Sequence, residues 1–346
     1  MHNINWTLAA PYPSSPSKPE GLRARMLCHF CDEFPFLHDT SISLCQGGLF
    51  AAWYACTQGE IEGATRIVGR FSPDGEDWRP LEIVEEGREY HYVPASFFED
   101  DGQFRAVVTV MTGHDRPIGF DELLRRVKGW EKLGSSALPF LFNTTPIQAP
   151  DGALIAGGRF SPTVGELPRI PAIIRRARGE SDWRLIPFPG EWDMGAYPLP
   201  FPETAILPDG GLIEAIVRND NGQPRVYRNS DAGLSWAYAG ESDLPAAGSK
   251  LYGGRLSDGR QYLIFNERTP ARDRSRLVMA LRDCSDRPFD RLLLLADGWD
   301  AELESGPYWH YPWSCEYKGR LYVSCTSNGP DNRRNAVLFD FPLASV

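Results

Sequence analysis

Short apolar runs of strand length recur along the chain, each followed by a polar turn that contains glycine. Six times an apolar strand enters, a tight turn of the Asp-Gly type reverses the chain, and a second apolar strand leaves. Glycine suits these turns because it adopts positive φ at no steric cost. The pattern therefore predicts six β-hairpins. Their turns lie at Gln46-Gly47-Gly48, Asp101-Gly102, Asp151-Gly152, Asp209-Gly210-Gly211, Asp258-Gly259 and Lys318-Gly319.

The spacing of these turns indicates a repeat. Glycines 48, 102, 152, 210, 259 and 319 are separated by 54, 50, 58, 49 and 60 residues. A period of about 50–60 residues that holds several strands is typical of a β-propeller. We therefore predict an all-β fold of six four-stranded antiparallel blades, with residues 26–346 as one domain and residues 1–25 as an N-terminal arm. Two β-sandwiches with unrelated hairpins are the alternative.

Residues 120–130 interrupt the β pattern. Phe120, Leu123, Leu124 and Val127 are spaced as on one face of a helix. Acidic residues at the start of the segment and a basic residue near its end suit the helix dipole. The spacing predicts a short helix inserted in the second blade.

Composition and charge exclude several classes of protein. The 346 residues carry 36 basic and 46 acidic side chains, a net charge of −10, and no run of five basic residues. Such a chain repels nucleic acid and anionic membranes, and no apolar stretch approaches the 18 residues of a membrane helix. Aromatic residues make up 12%, too many for a disordered chain. The N-terminus has no apolar signal segment, so we expect a cytoplasmic protein, or a secreted or periplasmic one if a signal peptide has been removed.

The seven cysteines are odd in number, and several lie within apolar runs. This usage favours reduced thiols in the core. Cys28-His29-Phe30-Cys31 could suggest a metal knuckle, but no second Cys/His pair follows at the spacing of a zinc finger. We expect neither a metal nor a cofactor.

A second recurring motif follows three of the hairpins. It occurs as residues 72–78 (SPDGEDW), as residues 229–236 (NSDAGLSW) and, in a reduced form, as residues 179–183 (GESDW). In such a turn the aspartate accepts backbone N–H bonds, the glycine allows the bend and the tryptophan packs between sheets. The motif is interpreted as a folding element without chemistry.

Propeller geometry converts sequence position into spatial position. The hairpin turns lie on one face of the disc, so the first strands begin and the second strands end on the opposite face, around the axis. Ligands commonly bind there. The residues at these positions are His38-Asp39, His91, Asn143-Thr144, Glu203, Lys250, His310-Tyr311, Trp53, His114, Arg159, Arg218, Asp220, Asn266, Arg268 and Asn328. For any one of them, a buried structural role is the alternative.

The motif at 229–236 fits the Asp-box, and the motif at 72–78 is one residue short of it between Asp and Trp. With the repeats, these motifs resemble the sialidase (neuraminidase) superfamily over residues 34–340. The resemblance implies six blades, three arginines that bind the substrate carboxylate, a tyrosine nucleophile assisted by a glutamate, and an aspartate acid/base. Glu203 resembles the assisting glutamate and Arg218 the second arginine, because a hairpin joins them at similar spacing. Tyr311, in the sixth repeat, resembles the nucleophile.

The other two arginine positions are less regular. Arg276 resembles the third arginine, although Arg268, Arg272 and Arg274 are close enough to leave the register open. The first arginine is absent, and His38 stands near its place. The loss removes one bidentate contact to a carboxylate, which argues against sialic acid itself.

The run 53–63 resembles that of a divergent bacterial branch of sialidase-like propellers. Glu62, or Glu60, lies where the acid/base loop would be, and His38 and Asp39 complete the predicted catalytic set. The predicted substrate-binding set is Arg218, Arg276, Arg268, His91, His114, Arg159, His310 and Trp53.

Three functions remain open. The first is an exo-acting glycoside hydrolase that releases a terminal acidic or modified sugar from a glycan. The second is a uronate-directed lyase or rhamnosyl-glucuronate-cleaving enzyme with His38, His91 or His310 as acid/base, because an imidazole suits removal of the proton next to a uronate carboxylate. The third is a carbohydrate-binding propeller without activity.

Overall fold

The computed structural model describes residues 16–87, 89–114, 116–162, 169–189, 199–220, 223–271 and 273–346. Over these residues the chain is all-β, with twenty-five strands, β1–β25, and two 3₁₀ helices, Pro330–Asn332 and Leu343–Ser345. In this described part, no helix has the length and apolar character needed to cross a membrane. The predicted all-β class is confirmed.

Four sheets are separate antiparallel units, three with four strands and one with five. The first has β6–β9: His91–Asp100, Gln103–Met111, Pro117–Arg126 and Gly129–Ser136. The second has β10–β14: Phe140–Phe142, Ile147–Gln148, Leu154–Phe160, Ile170–Arg176 and Arg184–Pro187. The third has β15–β18: Thr204–Asp209, Leu212–Val217, Arg225–Asn229 and Ala237–Glu241. The fourth has β19–β22: Tyr252–Arg255, Gln261–Asn266, Arg276–Arg282 and Arg291–Asp297.

The remaining eight strands form one sheet. They are β1–β5, Arg23–Cys28, Phe36–Cys45, Gly48–Cys56, Thr65–Ser72 and Glu82–Gly87, and β23–β25, Trp309–Tyr317, Arg320–Asn328 and Arg334–Pro342. Strand β25 pairs with β24 and β1 along most of its length, but it meets β2 through the single parallel pair Phe36–Arg334. The sheet therefore consists of two four-stranded antiparallel parts joined at one point.

The first strands of the sheets lie side by side. Strand β2 contacts β6, β6 contacts β10, β12 of the same sheet contacts β15, β15 contacts β19, β19 contacts β23, and β23 contacts β2. Each sheet places one of these strands at its edge or next to it. Side chains near the ends of these strands are consequently brought close together although they lie far apart in sequence.

All six predicted hairpins are confirmed by the strand pairing. In the turns Asp101-Gly102 and Lys318-Gly319, both central residues have positive φ: 49° and 70° in the first, 47° and 71° in the second. This is the type I′ geometry, whose twist matches that of the flanking strands. In the first hairpin the turn residues are Gln46 and Gly47, with φ of 44° and 82°.

The predicted helix at 120–130 is wrong: the segment belongs to strands β8 and β9, which form a hairpin. Phe120 packs in the core shared with the following sheet and Leu123 in the core shared with the preceding one. Residues three apart face opposite sides of a strand, and here both sides are buried. An inner strand covered on both faces therefore carries apolar residues at spacings that also fit a helix, and Val127 lies exposed in the turn.

The Asp-box turns are built as predicted at two of the three places. The Oδ1 atom of Asp74 accepts from the amides of Glu76 and Asp77 at 2.8 and 2.9 Å. In the second turn, Asp231 Oδ1 accepts from the amides of Leu234 and Ser235 at 3.1 and 2.9 Å. These bonds satisfy donors in the bend, which supports the structural interpretation of the motif.

Strand β1 pairs with β25, the last strand of the chain. Residues 23–25, expected in the arm, belong to β1, which pairs with β25. The fully buried Asp340 in β25 accepts from Arg23, Arg25 and Arg320. Residues 1–15 of the expected arm lie outside the described residues. The cysteines are free thiols, three of them buried, as the sequence predicted.

Candidate functional site

A cavity opens where the first strands meet. It is lined by His38, Asp39, Tyr54, Glu60, Ile61, Val93, Pro94, Met111, His114, Leu141, Arg159, Phe201, Glu203 and Tyr311. Seven of the predicted site residues are therefore in one place: His38, Asp39, His114, Arg159, Glu203 and Tyr311 directly, and Arg218 through its contact with Glu203. The lining combines charged side chains with apolar ones.

The same interruption of strand pairing occurs at two of these residues, Asp39 and Tyr311. In β2 the pairing with β3 shifts between His38 and Ser41, and in β23 the pairing with β24 shifts between His310 and Trp313. Each shift places one extra residue in the strand, which is a β-bulge and turns a side chain out of the regular alternation. The residue after each histidine, Asp39 or Tyr311, has a positive φ of 50° or 52°.

Asp39 is held in a buried network. Its Oδ1 atom accepts from Lys250 Nζ at 2.8 Å and from the indole Nε1 of Trp313 at 2.6 Å. The Lys250 ammonium, fully buried, lies 3.7 Å from the centre of the Trp313 ring. Burial lowers the pKa of Lys250, and the charge of Asp39 opposes this shift. The carboxylate predicted to be catalytic is thus occupied by two donors.

Glu203 is paired with the arginine that the sequence placed beside it. Its Oε2 atom accepts from Arg218 Nη1 at 2.7 Å, and Arg218 Nε donates to Asp220 Oδ1 at 2.7 Å. Burial alone would raise the pKa of Glu203, but the charges of Arg218 and Arg159 outweigh it and place the pKa below its usual value. Glu203 is therefore an ionised carboxylate at the cavity wall.

Tyr311 is the half-buried phenol of the site. Its ring lies 4.6 Å from the His38 imidazole, edge to face, and 5.5 Å from the guanidinium carbon of Arg274. Burial, together with the negative charge of Glu203, raises the pKa of Tyr311. Both residues line the cavity, although among the described hydrogen bonds none joins Tyr311 to Glu203.

Glu60, rather than Glu62, is the carboxylate that the loop after β3 places in the cavity. Its Oε1 atom accepts a long hydrogen bond of 3.5 Å from Tyr54 Oη. The Nε2 atoms of His38 and His114 lie 3.9 and 4.0 Å from it. Glu62 is exposed and does not line the cavity.

The two buried histidines are neutral. Burial lowers the pKa of both His38 and His310 well below the usual value, and the charges of Arg334 and Arg274 lower it further. The Nδ1 atom of His310 lies 3.0 Å from Arg274 Nη1, and its Nε2 atom lies 2.7 Å from Asn328 Oδ1. Because the guanidinium can only donate, His310 accepts at Nδ1 and carries its proton at Nε2.

Six predicted substrate-binding residues do not line the cavity: Arg218 and His310, described above, and four others. Trp53 is 1% exposed and packs in the core between sheets, so it is unavailable to a substrate. Arg276 pairs with Glu267 at 2.9 Å, and Arg268 donates to the carbonyl of Ala246. His91 lies at the start of β6, with its Nδ1 atom buried. Arg272, considered for the same role as Arg276, lies outside the described residues.

Two arginines close to the buried histidines were not among the predicted site residues. Arg274 was one of several in an uncertain register, and the structure places it against His310 and Tyr311. Arg334, the first residue of β25, was not considered, although its charge acts on both histidines. The sequence pattern could have identified Arg334, because the third strand of each sheet begins on the face where the second strand ends. Residues at third-strand starts therefore belong to the mouth as well.

Comparison with known proteins agrees with this architecture. Residues 47–323 match the model of the BNR repeat-like domain. No curated protein sequence matches the chain.

Several solved structures are similar. A protein of unknown function from Dyadobacter fermentans aligns with a TM-score of 0.72 at 13% identity, over 93% of this chain and 99% of that one. The sialidase of Trypanosoma rangeli aligns with a TM-score of 0.70 at 13% identity, over 93% of this chain and 59% of the sialidase. The NanB sialidase of Streptococcus pneumoniae aligns with a TM-score of 0.68 at 10% identity, over 92% of this chain and 70% of that one.

At these identities the structural likeness establishes the fold alone, which is a β-propeller-type arrangement of antiparallel sheets. The chain spans about 59% of the Trypanosoma rangeli enzyme. The family match, in contrast, covers most of the chain. The protein is therefore a divergent member of the BNR repeat-like family with a sialidase-like fold.

Proposed function

We propose that this protein is a six-bladed β-propeller that acts as an exo-glycoside hydrolase on a glycan with a terminal acidic or modified sugar. The blade count follows from dividing the eight-stranded sheet at its single Phe36–Arg334 pair, which gives two blades beside the four separate sheets. Residues 26–346 then form the domain, with β1 as the outer strand of the last blade.

One observation carries the enzymatic proposal: Tyr311, Glu203 and Glu60 line a single cavity at the axis. In the proposed first step, Tyr311 Oη bonds to the anomeric carbon while the bond from that carbon to the leaving oxygen breaks. Glu203 takes the phenolic proton, and Glu60, in its protonated form, gives a proton to the leaving oxygen. Water then releases the sugar by the reverse sequence, with retention of configuration.

The pairing of Glu203 with Arg218 suits its proposed role. A phenol whose pKa is raised by burial is a poor nucleophile unless a base removes its proton during attack. Glu203 stays ionised because Arg218 and Arg159 offset its burial. A hydrogen bond from Tyr311 to Glu203 would form with substrate in place, since catalytic hydrogen bonds are often long or poorly aligned without it.

The test removes the nucleophile alone. With 4-methylumbelliferyl glycosides of N-acetylneuraminic acid and glucuronic acid as substrates, Tyr311→Phe should lower kcat at least about 100-fold. Tyr238→Phe, on an exposed tyrosine of β18, should leave it unchanged. Full activity of Tyr311→Phe would exclude covalent catalysis through this phenol.

A second candidate, a uronate lyase, is favoured by one contact. The His38 ring, neutral and 4.6 Å from Tyr311, could take the proton next to a uronate carboxylate while the phenol protonates the leaving oxygen. The product mass separates the two reactions, because a hydrolase adds water across the bond and a lyase leaves an unsaturated uronate. An unsaturated product with full loss of activity in His38→Gln would replace the hydrolase proposal with this one.

A further inference from the structure

A second cavity, which we call the outer cavity, lies between the sheet β6–β9 and the sheet β10–β14. It has a volume of about 990 Å³ and, among the described residues, shares no lining residue with the cavity beside Tyr311. Its lining includes the hairpin-turn residues Asp101, Gly102 and Gly152. It therefore lies at the end of the sheets where the hairpins turn, away from the starts of the first strands. Ligand sites commonly have volumes of about 300–1,000 Å³, so the outer cavity is large enough to be one.

The outer cavity exists because a tryptophan fills this interface less completely than another tryptophan fills the preceding one. Between β2–β5 and β6–β9, the Trp130 ring lies 5.6 to 5.8 Å from three phenylalanine rings, and its Nε1 atom donates to Glu82 at 3.0 Å. Between β6–β9 and β10–β14, the Trp183 ring lies 6.1 and 6.4 Å from two phenylalanine rings and stays half-buried in the cavity wall. The last strand here, β14, has four residues, whereas β9 has eight. The outer part of the interface is therefore left open.

Fixed donors and acceptors form the inner wall of the outer cavity. The Arg176 side chain, 5% exposed, donates to Glu122 Oε2 at 2.9 Å and to Asp100 Oδ2 at 2.7 Å. Arg105 Nη1 donates to Glu122 Oε1 at 2.8 Å, and the side chains of Arg105 and Asp100 remain 20% and 27% exposed. The two guanidinium groups and the two carboxylates balance in charge and hold one another in position. A hydroxyl group, which both donates and accepts, matches such a wall, and its fixed geometry reduces the entropic cost of binding.

The other charges of the outer cavity are mostly acidic. Glu99, Asp101, Glu180 and Asp182 line it together with one further arginine, Arg178. This excess of negative charge disfavours an anionic ligand. A cationic ligand, in turn, would meet the two guanidinium groups of the inner wall. The charges together favour a neutral ligand.

Space for a ring is present beside Gly134. This residue of β9 pairs with Glu122 of β8, and directly paired residues face the same side of a sheet, which is here the side of the cavity. A Cβ atom added at Gly134 would meet no other atom within 4 Å. Leu133, 43% exposed, and the half-buried Trp183 give the wall apolar surface. The C–H face of a sugar ring can pack against such surface while its hydroxyl groups bond the inner wall.

We infer that the outer cavity is a carbohydrate-binding site for a short neutral oligosaccharide, separate from the proposed site of hydrolysis. The sugar hydroxyl groups bond the arginines and carboxylates of the inner wall, and the ring faces pack against Trp183 and Leu133. The inference does not depend on the proposed function, because such a site serves an enzyme and a non-enzymatic binding protein alike. In an enzyme it holds a neutral part of a glycan away from Tyr311.

The test measures binding by isothermal titration calorimetry. The probes are four neutral trisaccharides, maltotriose, cellotriose, mannotriose and chitotriose, with trigalacturonate and trilysine as charged counterparts. We expect at least one neutral trisaccharide to bind with a Kd of about 1 mM or below, and more tightly than either charged probe. Gly134→Trp fills the cavity and should weaken this binding at least about tenfold. Gly211→Trp is the matched control: Gly211 is exposed in the turn between β15 and β16, does not line the outer cavity, and an added Cβ there also meets no atom within 4 Å.

Each outcome decides the inference. Binding of a neutral trisaccharide that Gly134→Trp weakens and Gly211→Trp keeps supports it. Binding that Gly134→Trp does not change, the lack of binding by all four neutral trisaccharides, or tighter binding of trilysine or trigalacturonate overturns it. Thermal unfolding checks that both variants are folded, and if Gly134→Trp is not, Gly134→Leu, with a smaller side chain, takes its place with the same expectation. Binding without hydrolysis of the methylumbelliferyl glycosides would reject the proposed function and leave the inference standing.

Discussion

Strands β2 and β23 share a backbone feature, but the side chains that it presents are held differently. In each, a histidine is followed by a residue of positive φ at a bulge, Asp39 in one and Tyr311 in the other. The Asp39 side chain is held by Lys250 and Trp313, whereas the Tyr311 hydroxyl has no described hydrogen bond and faces the cavity.

The comparison shows that a bulge places a side chain but does not decide its role. Positive φ costs a non-glycine residue about 1 kcal/mol or more, so both strands must be held by their surroundings. At Asp39 the surroundings are a buried ion pair, which occupies the carboxylate with donors. At Tyr311 they are ring contacts, which leave the polar atom available for chemistry.

The largest expected effect comes from removing the cation that holds Asp39. Lys250→Met keeps the length of the side chain and leaves a buried carboxylate with only the Trp313 donor. We expect the free energy of unfolding to fall by about 3–5 kcal/mol, the cost of breaking a buried pair, as measured by urea denaturation.

The matched control is a pair at the surface. Arg126 Nε donates to Glu131 at 2.6 Å, with about half of each side chain exposed, and Arg126→Met should cost at most about 1 kcal/mol. Adding Asp39→Asn to Lys250→Met should restore part of the lost stability, because the unpaired charge is removed. Equal losses in Lys250→Met and Arg126→Met would mean that Asp39 is not held as described.

An intermediate effect is expected from pH, through the histidines that precede the two bulge residues. Both have a pKa well below 6.5 when folded, whereas in the unfolded chain they bind protons below about pH 6.5. The unfolded state therefore binds more protons as the pH falls. The free energy of unfolding should drop below about pH 6.5, by up to about 1.4 kcal/mol per pH unit for each histidine.

His310→Gln removes one of these groups and should reduce the slope of unfolding free energy against pH between about pH 6.5 and 5 by up to the same amount per unit. Glutamine retains an acceptor for Arg274 and a donor for Asn328. His29→Gln, at an exposed position, is the control and should leave the slope unchanged. A slope that His310→Gln does not alter would show that this imidazole is protonated in the folded protein.

The smallest expected effect is that of Tyr311→Phe on stability. Because the hydroxyl has no described hydrogen bond and the ring contacts are kept, the free energy of unfolding should change by less than about 1 kcal/mol. The measurement is again urea denaturation, compared with Lys250→Met. A loss of 3 kcal/mol or more would mean that the Tyr311 hydroxyl is held by a partner as the Asp39 carboxylate is, and the contrast between the two strands would disappear.

Much of the fold could be predicted from the sequence because hairpins are local. A turn such as Asp101-Gly102 specifies its own geometry, and its recurrence indicates the repeat. The helix prediction failed at residues 120–130 because strands buried on both faces lose the alternation that identifies a strand. Glu203 and Arg218 were found together because one hairpin joins them.

The sequence by itself determined where the hairpins turn, because turn geometry is encoded locally, and this was enough to bring residues such as Glu203 and Tyr311 to the cavity. Only the tertiary structure decided which of their charges are already paired. Lys250 and Asp39 are 211 residues apart, and the charge of Arg334 lowers the pKa of His38 only because the last sheet meets the first at Phe36. Pairing of charges depends on distances of a few ångströms between sheets, and those distances exist only once the chain has closed on itself.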